Sequence, residues 1–138
     1  MFFDTNILVY LFDRHAHEKW RRAQDLFLTH SVDGSLLLST QVLQEFYVTV
    51  TRKLSAPLGG PEALEAVRLF ASFPMTQVDA ELIVRGAERS QREMFSFWDG
   101  LILEAALAGG ATRLLSEDMQ HGREVSGMVI ENPFLRAA

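Results

Sequence analysis

The chain has 138 residues, with 18 acids against 13 bases and no cysteine. That length predicts one domain over residues 1–138, able to bury roughly 68% of its unfolded surface. Disulfides and thiolate metal sites are excluded, which suits a reducing, cytoplasmic setting; no apolar stretch nears the ~20 residues of a membrane helix, and no basic segment precedes an apolar run as in a signal peptide.

The net charge of −5 argues at first against a nucleic-acid partner, because phosphate contacts want Lys and Arg. Setting four of the 18 acids aside for a metal site leaves 14 against 13 bases, close to neutral. Bound divalent cations would shift the balance further. Global charge therefore does not decide the question.

Met1 to Asp4 is a short apolar run ending in an acid and predicts a first buried strand. Thr5 is a candidate cap for a helix from Asn6 to about Phe12. Glu18 to about Leu28 reads as helix, with Trp20, Ala23 and Phe27 at spacings of three and four. Asp33-Gly34 marks a turn, and Leu36-Leu37-Leu38 a second strand. A helix from Gln41 to Leu54 has Val42, Leu43, Phe46, Tyr47 and Val50 on one face, with Glu45 at its edge. Pro61 suits the first turn of a helix reaching Ser72.

Met75 to Val78 predicts a third strand, and Asp79 a cap for a helix to Arg92. Phe97 to Ala108 is apolar almost all round, as expected of a buried helix. Arg113 to Ser116 predicts a fourth strand, Glu117 to Gly122 a polar loop, and Met128 to Ile130 a fifth strand. Strands alternating with helices predict an α/β fold with a mostly parallel sheet covered on both faces.

In such a sheet, ligands bind beyond the carboxyl ends of the strands. Four acids fall there: Asp4 after strand one, Glu45 early in the helix after strand two, Asp99 in the first turn of the apolar helix, and Asp118 after strand four. Converging carboxylates repel one another unless a cation is present. Mg²⁺ and Mn²⁺ take oxygen ligands, and such sites serve phosphodiester cleavage.

Each acid also has a plain structural role open to it. Asp4 suits a helix cap, Glu45 a solvated helix face, Asp99 a capping pair with Ser96, and Asp118 a turn. Asn6 suits either a bond to a site carboxylate or local capping, and Ser116 either orientation of Asp118 or an ordinary strand end. Glu117, His15, His17 and His30 are expected at the surface. His121 has a weak case for touching substrate. Arg14, Lys19, Arg21 and Arg22 suit either phosphate binding or, more simply, a solvated helix face.

The ordered set Phe3-Asp4-Thr5-Asn6, Glu45, Phe97-Trp98-Asp99 and Ser116-Glu117-Asp118-Met119-Gln120-His121-Gly122 resembles PIN-domain ribonucleases of the VapC toxin type. The ending Gly127 to Phe134 is typical of one branch, and the match runs through essentially the whole chain. The resemblance implies a three-layer α/β/α sandwich with a parallel sheet of about five strands. It implies an acidic quartet at Asp4, Glu45, Asp99 and Asp118, RNA as substrate, Mg²⁺ or Mn²⁺ as cofactor, a VapB-type antitoxin as partner, and a homodimer. Asp4, Asp99 and Asp118 would hold one ion, with Glu45 completing the site or recruiting a second. Ser116 matches the Ser or Thr often found two residues before the last acid. Gly100 departs from the family's usual Ala, at a cost of about 0.5–1 kcal/mol in helix stability.

Two rival classes remain open at this point. A non-catalytic module would use the same fold to bind a partner. An aspartate-nucleophile phosphatase also places Asp after the first strand, but usually carries another Asp where this chain has Asn6.

Overall fold

The computed structural model describes residues 1–135. Strand β1 (Phe2–Phe3) leads into helices α1 (Thr5–Tyr10) and α2 (His17–Val32). Then come β2 (Leu38–Ser39), α3 (Thr40–Arg52), α4 (Gly60–Phe70) and β3 (Met75–Thr76). Helices α5 (Ala80–Glu93) and α6 (Phe97–Ala108) follow, and β4 (Arg113–Leu115), β5 (Glu124–Val125) and β6 (Met128–Glu131) close the described chain.

Four strands form one sheet in the order β1-β4-β6-β5, parallel except for β5. A parallel pair, β2-β3, joins its edge through a single bridge between Phe2 and Leu37. Phe2 and Phe3 point to opposite faces of the sheet and are both fully buried. Leu114 and Leu115 repeat the pattern beside them. Both faces are therefore covered by helices, the three-layer arrangement.

The five predicted strands all form. The sixth, β5, was not expected from its two residues. It is the near arm of a hairpin with β6, made by Ser126 and Gly127 at φ of 50° and 86°. That mirror-image turn suits Gly127 but is an uncommon conformation for a serine; the Ser-Gly dipeptide is a turn signal, and the two-residue strand carries none.

From β1 the chain moves one way to β2 and β3, then returns to lay β4 on the other side of β1. The reversal makes the edge between β1 and β4 a topological switch point. Asp4 leaves β1 there, and Ser116 to Asp118 leave β4 there.

Two packing contacts fix the helices that bring the other acids. Phe46 of α3 and Phe70 of α4 are buried edge to face, 5.1 Å between ring centroids. With Phe46 held inward, the next residue back, Glu45, is turned toward the edge of the helix. Helices α5 and α6 cross where Gly86 meets Gly100. A Cβ on Gly100 would lie 2.6 Å from the Gly86 carbonyl oxygen, and one on Gly86 would lie 2.7 Å from a Leu101 methyl. The departure to glycine at 100 thus has a physical reason: it lets α6 approach the α5 backbone.

That contact sets propensity against sterics. Gly100→Ala gains up to about 1 kcal/mol of helix propensity but forces a backbone shift of α5, costing typically 1–3 kcal/mol. Urea denaturation is expected to show net destabilisation; a stabilised variant would show that α5 and α6 separate freely.

Candidate active site

Asp4 is both the end of β1 and the N-cap of α1. Its Oδ1 accepts a hydrogen bond from the Thr5 N–H at 2.7 Å, and its Oδ2 accepts one from the Ser116 hydroxyl at 2.7 Å. Of the two caps the sequence offered, Asp4 and Thr5, the structure uses Asp4. The Thr5 hydroxyl is instead buried and has no hydrogen-bond partner among the described residues. Asp4 is only 7% exposed. Burial pushes its pKa up to about 7, against the pull of Ser116 and the Thr5 N–H, with the charges of Glu45 and Asp118 adding to the rise.

Ser116, fully buried, ties the two strand ends together. Its hydroxyl donates to Asp4 and accepts from the Asp118 N–H at 3.2 Å. Asn6 fastens the same loop from α1. Its Nδ2 donates to Asp118 Oδ2 at 3.0 Å, and its Oδ1 accepts from the Glu117 N–H at 3.3 Å.

Glu45 and Asp99 come from the helices. Gln41, one turn before Glu45, donates from Nε2 to Glu45 Oε1 at 2.8 Å and to the Trp98 carbonyl at 3.2 Å. It therefore joins α3 to the first turn of α6. The Ser96 hydroxyl caps α6 by accepting from the Asp99 N–H at 3.0 Å. Loss of water raises the pKa of Glu45 first; Asp99 and Asp118 raise it further, while Gln41 and Lys53 oppose. Glu45 is open to solvent on one side, so this rise is modest evidence for burial. Asp99 is half-buried and also raised, by burial first and then by Asp118.

Glu45 and Asp118 therefore act electrostatically on Asp4, Asp99 and Asp118 on Glu45, and Asp118 on Asp99. Glu45 and Asp118 also share the wall of one pocket with Asn6 and Tyr10. Among the described residues, no three of these side chains close around a single point as metal ligands do. Asp4 rests on Ser116, Glu45 on Gln41 and Asp118 on Asn6, each a neutral donor. The chemistry of the set still fits a hard divalent ion: the oxygens are carboxylate, and their repulsion is relieved by a cation. An ion seated there would compete with those neutral donors.

Other sequence expectations need correction. Glu117 is not solvated: it is half-buried, accepts from the Tyr10 hydroxyl at 2.6 Å and pairs with Lys19. Lys19 in turn lies over the rings of Tyr10 and Phe134, and its pKa is raised, chiefly by the bond to Glu117. Arg22 donates to the Pro133 carbonyl at 3.1 Å, and Arg14 lies over Trp20. The basic run thus braces the fold with several of its members. His121 accepts the Asn132 N–H on Nδ1 at 3.0 Å and holds the chain after β6. His30 is no surface residue: it stacks edge-on against Phe3 and bonds the Ser35 hydroxyl at 2.7 Å. His15 and His17 are exposed as expected. Gln41 and Tyr10 were missed. Gln41 had a visible signal, since helix residues four apart are neighbours.

A model of the PIN domain family matches residues 1–123. No curated protein sequence matches the chain. Among solved structures, the chain is similar to VapC20 from Mycobacterium tuberculosis, described as a sarcin–ricin loop cleaving toxin. That match has a TM-score of 0.65 and 20% identity, over 85% of this chain and 88% of that one. It is also similar to VapBC2 from Rickettsia felis bound to a DNA fragment from its promoter, with a TM-score of 0.60 and 18% identity, over 95% and 96% of the two chains. At these identities the likeness is one of fold.

The raised pKa of Asp4 makes the metal-free protein sensitive to pH. Folded Asp4 holds its proton up to about pH 7, whereas the ordinary value is 3.8. Its contribution is therefore fully present below about pH 4 and lost as pH rises toward 7, at about 1.4 kcal/mol per unit at most. Asp4→Asn cannot ionise, so in EDTA its stability relative to wild type should climb by a few kcal/mol between pH 4.5 and 7, then level off. Urea midpoints across that range measure it; a pH-independent difference would show that Asp4 ionises normally.

Proposed function

The chain belongs to the PIN domain family, and on that premise we propose that it is a VapC-type toxin, a Mg²⁺- or Mn²⁺-dependent endoribonuclease. The observation that carries this reading is that acids from four distant parts of the chain lie near the β1–β4 switch point: Ser116 joins Asp4 to the Asp118 backbone, Glu45 and Asp118 line one pocket, and Gln41 links Glu45 to the residue before Asp99. The toxin fold of VapC20 supports RNA as the substrate class. The VapBC2 match supports a VapB-type antitoxin as partner. A homodimer acting in the cytoplasm is part of the same proposal, and no described helix is long and apolar enough to cross a membrane.

Asp4, Asp99 and Asp118 would hold the ion, with Glu45 completing the site or recruiting a second ion. When bound, a divalent cation neutralises phosphoryl charge and makes a coordinated water more acidic. The chain's own residues do the rest. Ser116 and the Thr5 N–H hold both oxygens of Asp4, so that carboxylate keeps its orientation as its proton leaves. Glu45 is the most open of the acids with raised proton affinity, which suits it to take a proton from the attacking water. Water attacks phosphorus in line, the ester bond to the leaving nucleotide breaks, and a proton passes to the leaving oxygen. Asn6 and Ser116 are positioning residues, since both hold Asp118 and its loop.

An aspartyl-phosphate route is disfavoured by Asp4 itself. Both its oxygens accept hydrogen bonds, and burial keeps it protonated to about pH 7. The position where a phosphatase carries its second Asp is occupied by Asn6, which here fastens the β4 loop.

Purified protein incubated with total RNA should cleave in Mg²⁺ or Mn²⁺ and fail in EDTA. Asp99→Asn should lose at least 100-fold in rate with an unchanged circular dichroism spectrum. Wild type that neither cleaves nor binds metal by calorimetry would replace the nuclease with a partner-binding module.

A further inference from the structure

The acidic pocket does not end at Glu45. Glu45 and Thr49 also line a second cavity of about 330 Å³, whose wall includes Trp98, Gln41 and Lys53. Trp98 directly precedes Asp99 and is 64% exposed. An indole can bury 150–250 Å² of surface, so leaving one this open forgoes a large stabilisation. Its neighbours in sequence are not loose. The Trp98 carbonyl is held by Gln41, and its ring meets Phe97 edge-on with centroids 5.2 Å apart. The side chain is therefore anchored at its base and open over the cavity side.

Two further features point to a polar ligand in this cavity, Lys53 to a phosphate and the Gln41 side-chain carbonyl oxygen to a hydrogen-bond donor such as a base N–H. Lys53 has no ion-pair partner among the described residues, and its charge reaches Glu45. It is a free cation in a chain of net charge −5. Gln41 is 4% exposed, and its Oε1 is buried with no hydrogen-bond partner. An unpaired buried acceptor is rare in folded proteins and calls for a reason.

Resting on the ribonuclease reading, we propose that Trp98 is a stacking platform for an unpaired base of the RNA, one step from the scissile phosphate, with Lys53 meeting a backbone phosphate beside it. Base stacking on an aromatic side chain is worth about 1–3 kcal/mol and tolerates any base, because every base has a π-face. A duplex covers those faces, so the platform selects single-stranded loops, bulges or ends. The site would then choose its substrate by strand state at Trp98 and cut it at the acids.

The chain has two tryptophans. Trp20 lies against Arg14 and His17, so Trp20→Phe leaves Trp98 as the sole indole reporter. Stopped-flow mixing of that variant with single-stranded RNA in Mg²⁺ should quench Trp98 emission before cleavage, and a duplex of equal length should quench it far less. Trp98→Ala should raise KM by roughly 5- to 100-fold with a smaller change in kcat, and Trp98→Phe should recover most of the loss. Lys53→Gln should weaken the salt dependence of KM. If wild type cleaves RNA while Trp98 emission and the KM of both Trp98 variants stay unchanged, the platform is overturned, the nuclease stands, and the indole becomes a seat for a protein partner. If wild type neither cleaves nor binds RNA, the ribonuclease reading fails and the platform with it.

Discussion

One buried hydroxyl, Ser116 Oγ, holds the ends of β1 and β4 in register for chemistry. It donates to Asp4 and accepts from the backbone of Asp118. A carboxylate as deeply buried as Asp4 is costly to ionise, and here it is tolerated because both oxygens are hydrogen-bonded and the group carries its proton to about pH 7. The other acids are arranged around that constraint.

Their arrangement depends on the packing behind them. Phe46 against Phe70 sets the rotation of α3 and hence of Glu45. The Gly86–Gly100 crossing lets α6 sit close to α5 with Asp99 in its first turn. Gln41 then links α3 to α6 directly, so Glu45 and the Trp98–Asp99 step move together. On the far side, Lys19, Tyr10 and Glu117 clamp the loop next to Asp118. Asp4, Glu45 and Asp118 each lean on a neutral donor, an arrangement that limits their mutual repulsion.

In the proposed ribonuclease the same geometry would join cleavage to recognition. Glu45 belongs to both the acidic pocket and the cavity under Trp98. Gln41 touches the carboxylate on one side and the Trp98 backbone on the other. A base settling on the indole, as proposed, would therefore lie mechanically close to the acids.

Much of this was legible in one dimension. Short apolar runs such as Met1-Phe2-Phe3 and Leu114-Leu115 marked strands buried on both faces, and Asp79 and Ser96 marked helix starts. Because a parallel sheet puts every strand end on one edge, the four acids were placeable near that edge from element order alone, and the structure sets Asp4 and Asp118 on one serine and Glu45 and Asp118 on one pocket wall. Local chemistry could not say where a side chain with two options would go. Glu117, the basic run, His30 and His121 all found partners from 5 to 111 residues away, and Asp4 took the cap that Thr5 was also fitted for. Strand β5 exists only because β6 is there to pair with it. Period, polarity and capping chemistry are properties of neighbours in the chain, so the sequence determined the elements and the acid edge. Which polar groups share a bond, and which indole stays open, depend on neighbours in space, and only the tertiary structure decided those.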